Sequence, residues 1–365
     1  MSYVPEEILG LLPDRAIAGL FQSGVVSTEH RRDADQIQPA SLDLRLGSVA
    51  YRIRASFLPG PRATVGERLH LLALHEIDLT KGAVLETGCV YLVPLLETLT
   101  LPETLAADAN PKSSTGRLDV FVRVITDHGR SFDTIAPGYS GPLYLEISPR
   151  TFPILVRTGS RLSQLRFRSG DARLDDAALR ALHNEEPLVD TPDALIGGGL
   201  SLSVDLSGHD GRIGYRAKRH TGVIDVDRKA AFSVDDFWEP IAHRPGGTLI
   251  LDPDEFYILA SKEAVQVPPD YAAEMVPFDP LVGEFRVHYA GFFDPGFGHS
   301  AAGGTGSRAV LEVRSHEVPF ILEDGQTVGR LVYERLQARP DALYGLDLGS
   351  HYQAQGLKLS KHFLP

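Results

Sequence analysis

The 365-residue sequence holds one cysteine, one tryptophan and two methionines. A lone Cys89 can close no disulfide within the chain and supplies no cysteine-rich metal cluster, so the composition points to a reducing, cytoplasmic setting with Cys89 in the core. No apolar run reaches membrane-spanning length, and no charged segment followed by an apolar one opens the chain, which argues against a membrane partner and against export. Positive charge is in short supply too. With 36 Lys and Arg against 48 Asp and Glu the formal net charge is -12, and a general nucleic-acid binder, which needs a broad positive field, is excluded. Any phosphate binding must be local. The thirteen histidines form no H-x-x-x-H or H-E-x-x-H pair and read as surface or packing residues.

Short alternating segments are what the chain does contain. From Gln38 onward, apolar and polar residues alternate between Gly, Pro and Asp breaks, with candidate strands at Ser41–Leu46, Val49–Arg54, Val90–Pro94, Val120–Thr126, Leu143–Ile147 and Ile154–Arg157. The pattern predicts an all-β fold with minor α content. The length calls for two domains. Residues 1–24 read as an amphipathic helical segment, with Ile8, Leu11, Leu12, Ile17, Leu20 and Phe21 apolar around the Pro13-Asp14 break. A first domain over 25–170, a polar and functionally silent linker over 171–192, a second domain over 193–340 and a tail over 341–365 complete the division. Trp238 reads as a core or interface anchor.

The chain also repeats itself. Tyr91-Leu92-Val93 before Leu101-Pro102 recurs as Tyr257-Ile258-Leu259 before Val267-Pro268, a shift of 257 − 91 = 166; Tyr144-Leu145-Glu146 recurs as Val310-Leu311-Glu312, and Pro153 with Gly159 as Pro319 with Gly325, both at 166. Ser41-Leu42-Asp43-Leu44 is echoed by Ser203-Val204-Asp205-Leu206 at a shift of 162. Four ordered blocks predict a tandem duplication of one β domain. The copies differ where chemistry is expected. Asn110-Pro111-Lys112-Ser113-Ser114-Thr115-Gly116-Arg117 sets hydroxyls between two cations, a turn suited to a polyphosphate; the second copy has Phe278-Asp279-Pro280 and Gly283 there. Asp stands directly before Pro-Gly only in the second copy, at Asp294, whereas Asp133 lies four residues before Pro137.

Taken together, Gln38-Pro39-Ala40-Ser41-Leu42-Asp43-Leu44-Arg45-Leu46-Gly47, the Lys112–Arg117 turn, Pro137-Gly138-Tyr139 and Leu145-Glu146 resemble the ordered motifs of the dCTP deaminases, members of the dUTPase-like superfamily. Tyr344 and His351-Tyr352-Gln353-Ala354-Gln355-Gly356 are similar to that family's nucleotide-closing tail. The resemblance implies two tandem distorted β-barrel or jelly-roll domains and a homo-oligomer, with three chains supplying six domains. Ser113, Ser114 and Arg117 would bind phosphates, with Lys112 where the family commonly has Arg. Asp294, or less well Asp133, would match the hairpin carboxylate, and Tyr344, His351, Tyr352 and Gln355 the tail. Mg²⁺ would arrive on the triphosphate of dCTP or dUTP, and dTTP would be a feedback inhibitor.

Deaminating a cytosine needs a water delivered to C4 and a proton for the departing amine. One cysteine cannot furnish the Pro-Cys-x-x-Cys signature of zinc deaminases, so no zinc is expected, and a carboxylate must act as base and then proton donor. Glu146 and Glu312, each flanked by apolar strand residues, are the candidates, because partial desolvation raises a carboxyl pKa toward neutrality. Glu312 is preferred, since phosphate turn and base-reading hairpin come from neighbouring domains in the superfamily, while Glu146 keeps the shorter spacing to Pro-Gly. Two other readings stay open: dUTP pyrophosphatase activity using a hairpin Asp such as Asp294, alone or coupled to deamination, and a nucleotide-binding regulator without turnover.

Overall fold

Pro13 lacks an amide hydrogen and cannot sit inside a helix, so the first helix begins just after it, at Asp14–Gln22. The computed structural model describes residues 9–191, 194–208, 211–243, 246–277, 285–287, 291–315, 317–345 and 356–364. The apolar residues expected along one N-terminal helix are divided by the proline. Ile17 is buried from the helix, whereas Leu11 belongs to a short strand, Gly10–Leu11, paired with Ser169 and Arg168. Ile8 lies outside the described residues. Each of the six candidate strands overlaps an observed one, and the chain is all-β with a few short helices.

Each half of the chain builds two facing sheets. In the first half, Thr134–Ile135, Ala106–Pro111, Ser163–Ser169 and Ser41–Leu44 neighbour one another in that order; the second half repeats the order with Phe292–Phe293, Tyr271–Pro277, Thr327–Arg335 and Leu200–Ser203. The other sheet runs Val120–Thr126, Ser140–Pro149, Val90–Thr100, Val49–Ile53, and is matched by Phe285–Val287, Ser307–Ser315, Phe256–Val265, Arg212–Ala217. Register repeats as well: Glu146 lies opposite Leu92 and Glu312 opposite Ile258, each pair displaced by 166.

One block matches differently from the sequence reading. The amides of Gly159 and Gly325, 166 apart, donate to the carbonyls of Leu46 and Val204, which are 158 apart. The strand thus aligns at a shift of 158, not 162, and Asp205 does not occupy the place of Asp43. The Pro-Gly turns align at 158 too, since Leu101 N–H donates to Tyr139 O and Val267 N–H to Phe297 O. Asp294 therefore corresponds to Ala136, and Asp133 to Gly291.

The stretch read as a silent linker is built into the second domain. Asp175 caps the helix Asp176–Glu185 by accepting from Ala178 N–H, and Leu179, Leu182, Leu188 and Val189 are buried in the second core. The halves also interlock. Ile224–Asp225 adds a parallel strand to Ile154–Val156, and Trp238 packs edge-on against Phe152 at 5.4 Å and Phe363 at 5.9 Å. No helix among the described residues is long and apolar enough to cross a membrane.

Candidate active site

Alternation along Ser307–Ser315 decides where Glu312 points. Successive side chains of a strand face opposite ways, and Ala309, Leu311 and Val313 fill the second core while Val310 joins the first. The neighbouring strand divides likewise, Tyr257 and Leu259 inward, Phe256 and Ile258 toward the first domain. Glu312, in phase with Val310, is thereby directed out of its own domain and into the boundary with the other. There it is 5% exposed.

The residue it meets is Arg117, at the end of the one-turn helix Ser113–Gly116. Arg117 Nε lies 3.9 Å from Glu312 Oε1, too long for a hydrogen bond but well within Coulomb range, and both side chains are buried. Burial pushes the Glu312 carboxyl up to about 8, with Arg117 opposing the rise. Serine and hairpin meet across the same boundary: a Cβ added to Gly291 would lie 3.8 Å from Ser113 Oγ. Asn110, just before the turn, donates to Glu274 Oε1 at 2.8 Å from the first domain to the second.

Asp294 begins the Pro-Gly turn and is buried against Arg166, which donates to its Oδ1 at 3.3 Å and to Phe293 O at 2.9 Å. Burial raises the Asp294 pKa, and Arg166 and Lys112 counteract it. Lys112 Nζ is paired with Asp43, which Arg161 approaches at 3.5 Å. The end of the tail closes over the serine turn, with Ser360 Oγ donating to Ser114 O at 2.8 Å and Arg117 Nη1 to Lys358 O at 3.0 Å. Lys361, beside Lys112, is lowered to about 8 by its burial. Tyr344 docks on the hairpin through its amide to Pro295 O, and its ring lies 5.8 Å from that of Phe297. His351, Tyr352 and Gln355 lie outside the described residues.

Glu146 and Asp133 do not join this cluster. Arg123 donates to Glu146 Oε1 through Nε at 3.0 Å and Nη2 at 2.6 Å. The outer face of that sheet is covered by the domain's own helix Val65–Leu72, whose Val65 and Leu69 pack with Leu92, Ile125 and Tyr144. Asp133 accepts from Val124 N–H at 2.7 Å, and burial pushes it up to about 7. The two equivalent strand glutamates thus face different surroundings: one is paired with Arg123 under a helix, the other set opposite the serine turn. Asn110 opens the serine turn that the sequence marks, whereas no role for Asp43, Arg166 or Ser360 is legible in the sequence. Asp43 lies in a motif that had been noticed; Arg166 sits on an ordinary strand and carried no signal.

Comparison with known proteins bears on the family. Residues 8–171 match the family model "2′-deoxycytidine 5′-triphosphate deaminase (DCD) N-terminal domain", and 175–363 that of the C-terminal domain. The chain is 34% identical over 158 residues to a "dCTP deaminase, dUMP-forming" of Beutenbergia cavernae, covering 43% of this chain and 78% of that one. It is 33% identical over 165 residues to a dCTP deaminase of Alteromonas mediterranea, covering 43% and 80%. The crystal structure of 2′-deoxycytidine 5′-triphosphate deaminase from Agrobacterium tumefaciens superposes with a TM-score of 0.87 at 65% identity, over 90% of this chain and 100% of that one. With both halves matched and the fold shared, the chain belongs to the dCTP deaminase family.

Proposed function

We propose that the protein hydrolyses dCTP to dUTP and ammonia at a site composed from both halves of one chain, with Glu312 as the base. A water oxygen bonds to C4 of the cytosine as Glu312 takes its proton; the same carboxyl then returns a proton to the amine as the C4–N4 bond breaks. A carboxyl pushed up to about 8 suits both duties near neutral pH. The observation that carries this reading is the buried Glu312 set 3.9 Å from Arg117 across the domain boundary. Ser113, Ser114 and Arg117 bind the phosphates, Lys112 adds charge, Asp294 shapes the hairpin, and Tyr344, His351, Tyr352 and Gln355 close the tail over the nucleotide. Mg²⁺ comes as part of the triphosphate substrate, and no protein-held zinc is invoked, since one cysteine cannot make the zinc-deaminase signature. On the same reading the chain is a homotrimer in the cytoplasm, arose by duplication, and takes dTTP as a feedback ligand.

Incubation with dCTP and Mg²⁺ followed by separation of products tests the reading. Stoichiometric dUTP and ammonia are expected. A second reading, deamination coupled to diphosphate release, is favoured by the name of the Beutenbergia relative and would give dUMP and diphosphate instead. Unchanged dCTP would leave a nucleotide-binding regulator.

A further inference from the structure

A second cross-domain contact lies two residues beyond the first on both segments of the site. Arg117 is followed at the second position by Asp119, and Glu312 by Arg314. Arg314 Nη2 donates to Asp119 Oδ2, and the side chains are 6% and 1% exposed. Thr151 Oγ1 donates to the same Asp119 oxygen at 2.5 Å and accepts from Arg314 Nη2 at 3.0 Å, while Arg314 Nη1 donates to Asp254 O at 2.5 Å. Asp119 holds a left-handed φ of 54°, a conformation a non-glycine side chain adopts at a cost, following the amide of Asp119 to Gly116 O. The turn is thereby bent so that its carboxylate reaches the second domain.

Glu312 and Arg314 share one face of a strand, about 6.6 Å apart along it at the usual rise. A pair fixed at 314 therefore leaves little freedom at 312. The contact is also one-sided. Residue 148, equivalent to 314 at the shift of 166, is Ser148, which carries no charge; Phe285 faces Ser315 as Val120 faces Pro149, so the equivalent of Asp119 is residue 284, outside the described residues. With an uncharged serine in the equivalent place, the opposite domain face cannot repeat the Arg314 side of this ion pair.

We propose that Asp119 and Arg314 are positioning residues for the deamination step, a strut that sets the distance between Glu312 and Arg117 and so the place where the carboxylate meets substrate and water. The proposal rests on Glu312 acting as the base. Arg117 is the charged group acting on Glu312, so a strut that slackens also removes the cation that favours the carboxylate form.

The test measures kcat, KM and the pH dependence of kcat/KM for full-length wild type, Arg314→Lys and the double variant Asp119→Leu/Arg314→Met. The double variant leaves no buried charge unpaired and is expected to fold as the wild type does. Its kcat should fall about ten- to 100-fold with KM for dCTP within about threefold, as a small misplacement of a reacting group produces, and the acid limb of kcat/KM should move to higher pH. Arg314→Lys, which keeps a cation for Asp119, should return that limb toward the wild-type position. An unmoved limb, with or without a fall in kcat, or failure of the double variant to fold, would overturn the proposal and leave the pair a purely structural role. Glu312→Gln separates the two ideas: if it stays active the base assignment is lost, whereas if it is dead and the strut variants match wild type, only the strut is lost.

Discussion

Arg117 Nε and Glu312 Oε1 stand 3.9 Å apart, one from each half of a repeated chain. The Glu312 carboxyl is buried beside the opposing Arg117 cation, close enough to matter electrostatically and too far for a direct hydrogen bond. Its counterpart, Glu146, has Arg123 clasping one oxygen from two nitrogens.

That contrast separates the glutamates experimentally. Glu312→Gln is expected to lower kcat by about 100- to 10,000-fold while the protein stays folded, the range over which general acid-base groups act. Glu146→Gln should keep kcat within about threefold yet lose about 1–3 kcal/mol of stability, because Arg123 is left without its counter-charge. Steady-state kinetics and urea denaturation of both variants check this; equal activities would remove the glutamate mechanism.

Glu312 also ties stability to pH. Its carboxyl is raised from 4.5 to about 8 in the fold, so between those values the folded chain holds a proton that the unfolded chain has released. Unfolding free energy therefore falls as pH rises through that window. Glu312→Gln removes the effect, and its Tm should match wild type near pH 4.5 and exceed it increasingly up to pH 8. Asp133, raised to about 7, acts alike in both proteins and cancels in the difference. Wild-type kcat/KM should rise with pH toward about 8 as the free base ionises. A Tm difference flat in pH would mean an ordinary carboxyl.

Ser113 faces the second domain near Gly291. Removing its hydroxyl deletes a donor to a charged phosphate, worth about tenfold or more in affinity. Ser113→Ala in the Glu312→Gln background, where no turnover interferes, should bind dCTP about tenfold more weakly by calorimetry, with deoxycytidine affected far less. Unchanged dCTP affinity would make this turn only a loop.

The hairpin turn depends on Gly296. Its φ is 95°, and an added Cβ would lie 3.0 Å from the Cβ atoms of Ala302 and Leu343 and 3.1 Å from Tyr344 O. Gly296→Ala should cost about 1–3 kcal/mol and lift Leu343-Tyr344 from the hairpin, raising KM for dCTP more than it lowers kcat. Wild-type Tm and KM would show that the tail seat does not need this contact.

Much of the fold was legible in the sequence because period-two alternation and Gly, Pro and Asp breaks act locally: the six candidate strands overlap real ones, and a shift of 166 locates equivalent residues on paired strands. Residue types in order were enough to mark the serine turn, the two strand glutamates and the Asp-Pro-Gly hairpin. The shift of 162 was misjudged because four residues of similar type can be slid along a strand without penalty until hydrogen bonds fix the register. The first helix was overextended across Pro13, and the stretch between the domains gave no local sign that its leucines belong to a core. Which glutamate faces the serine turn was beyond any local pattern. Glu146 and Glu312 occupy the same place in the repeat, and what sets them apart is the surface each strand is packed against: Arg123 and the Val65–Leu72 helix for one, Arg117 of the other domain for the other. Burial and Coulomb fields depend on distance in space rather than in sequence, so tertiary packing alone decided which of two matching carboxyls is clasped by Arg123 and which is buried opposite Arg117.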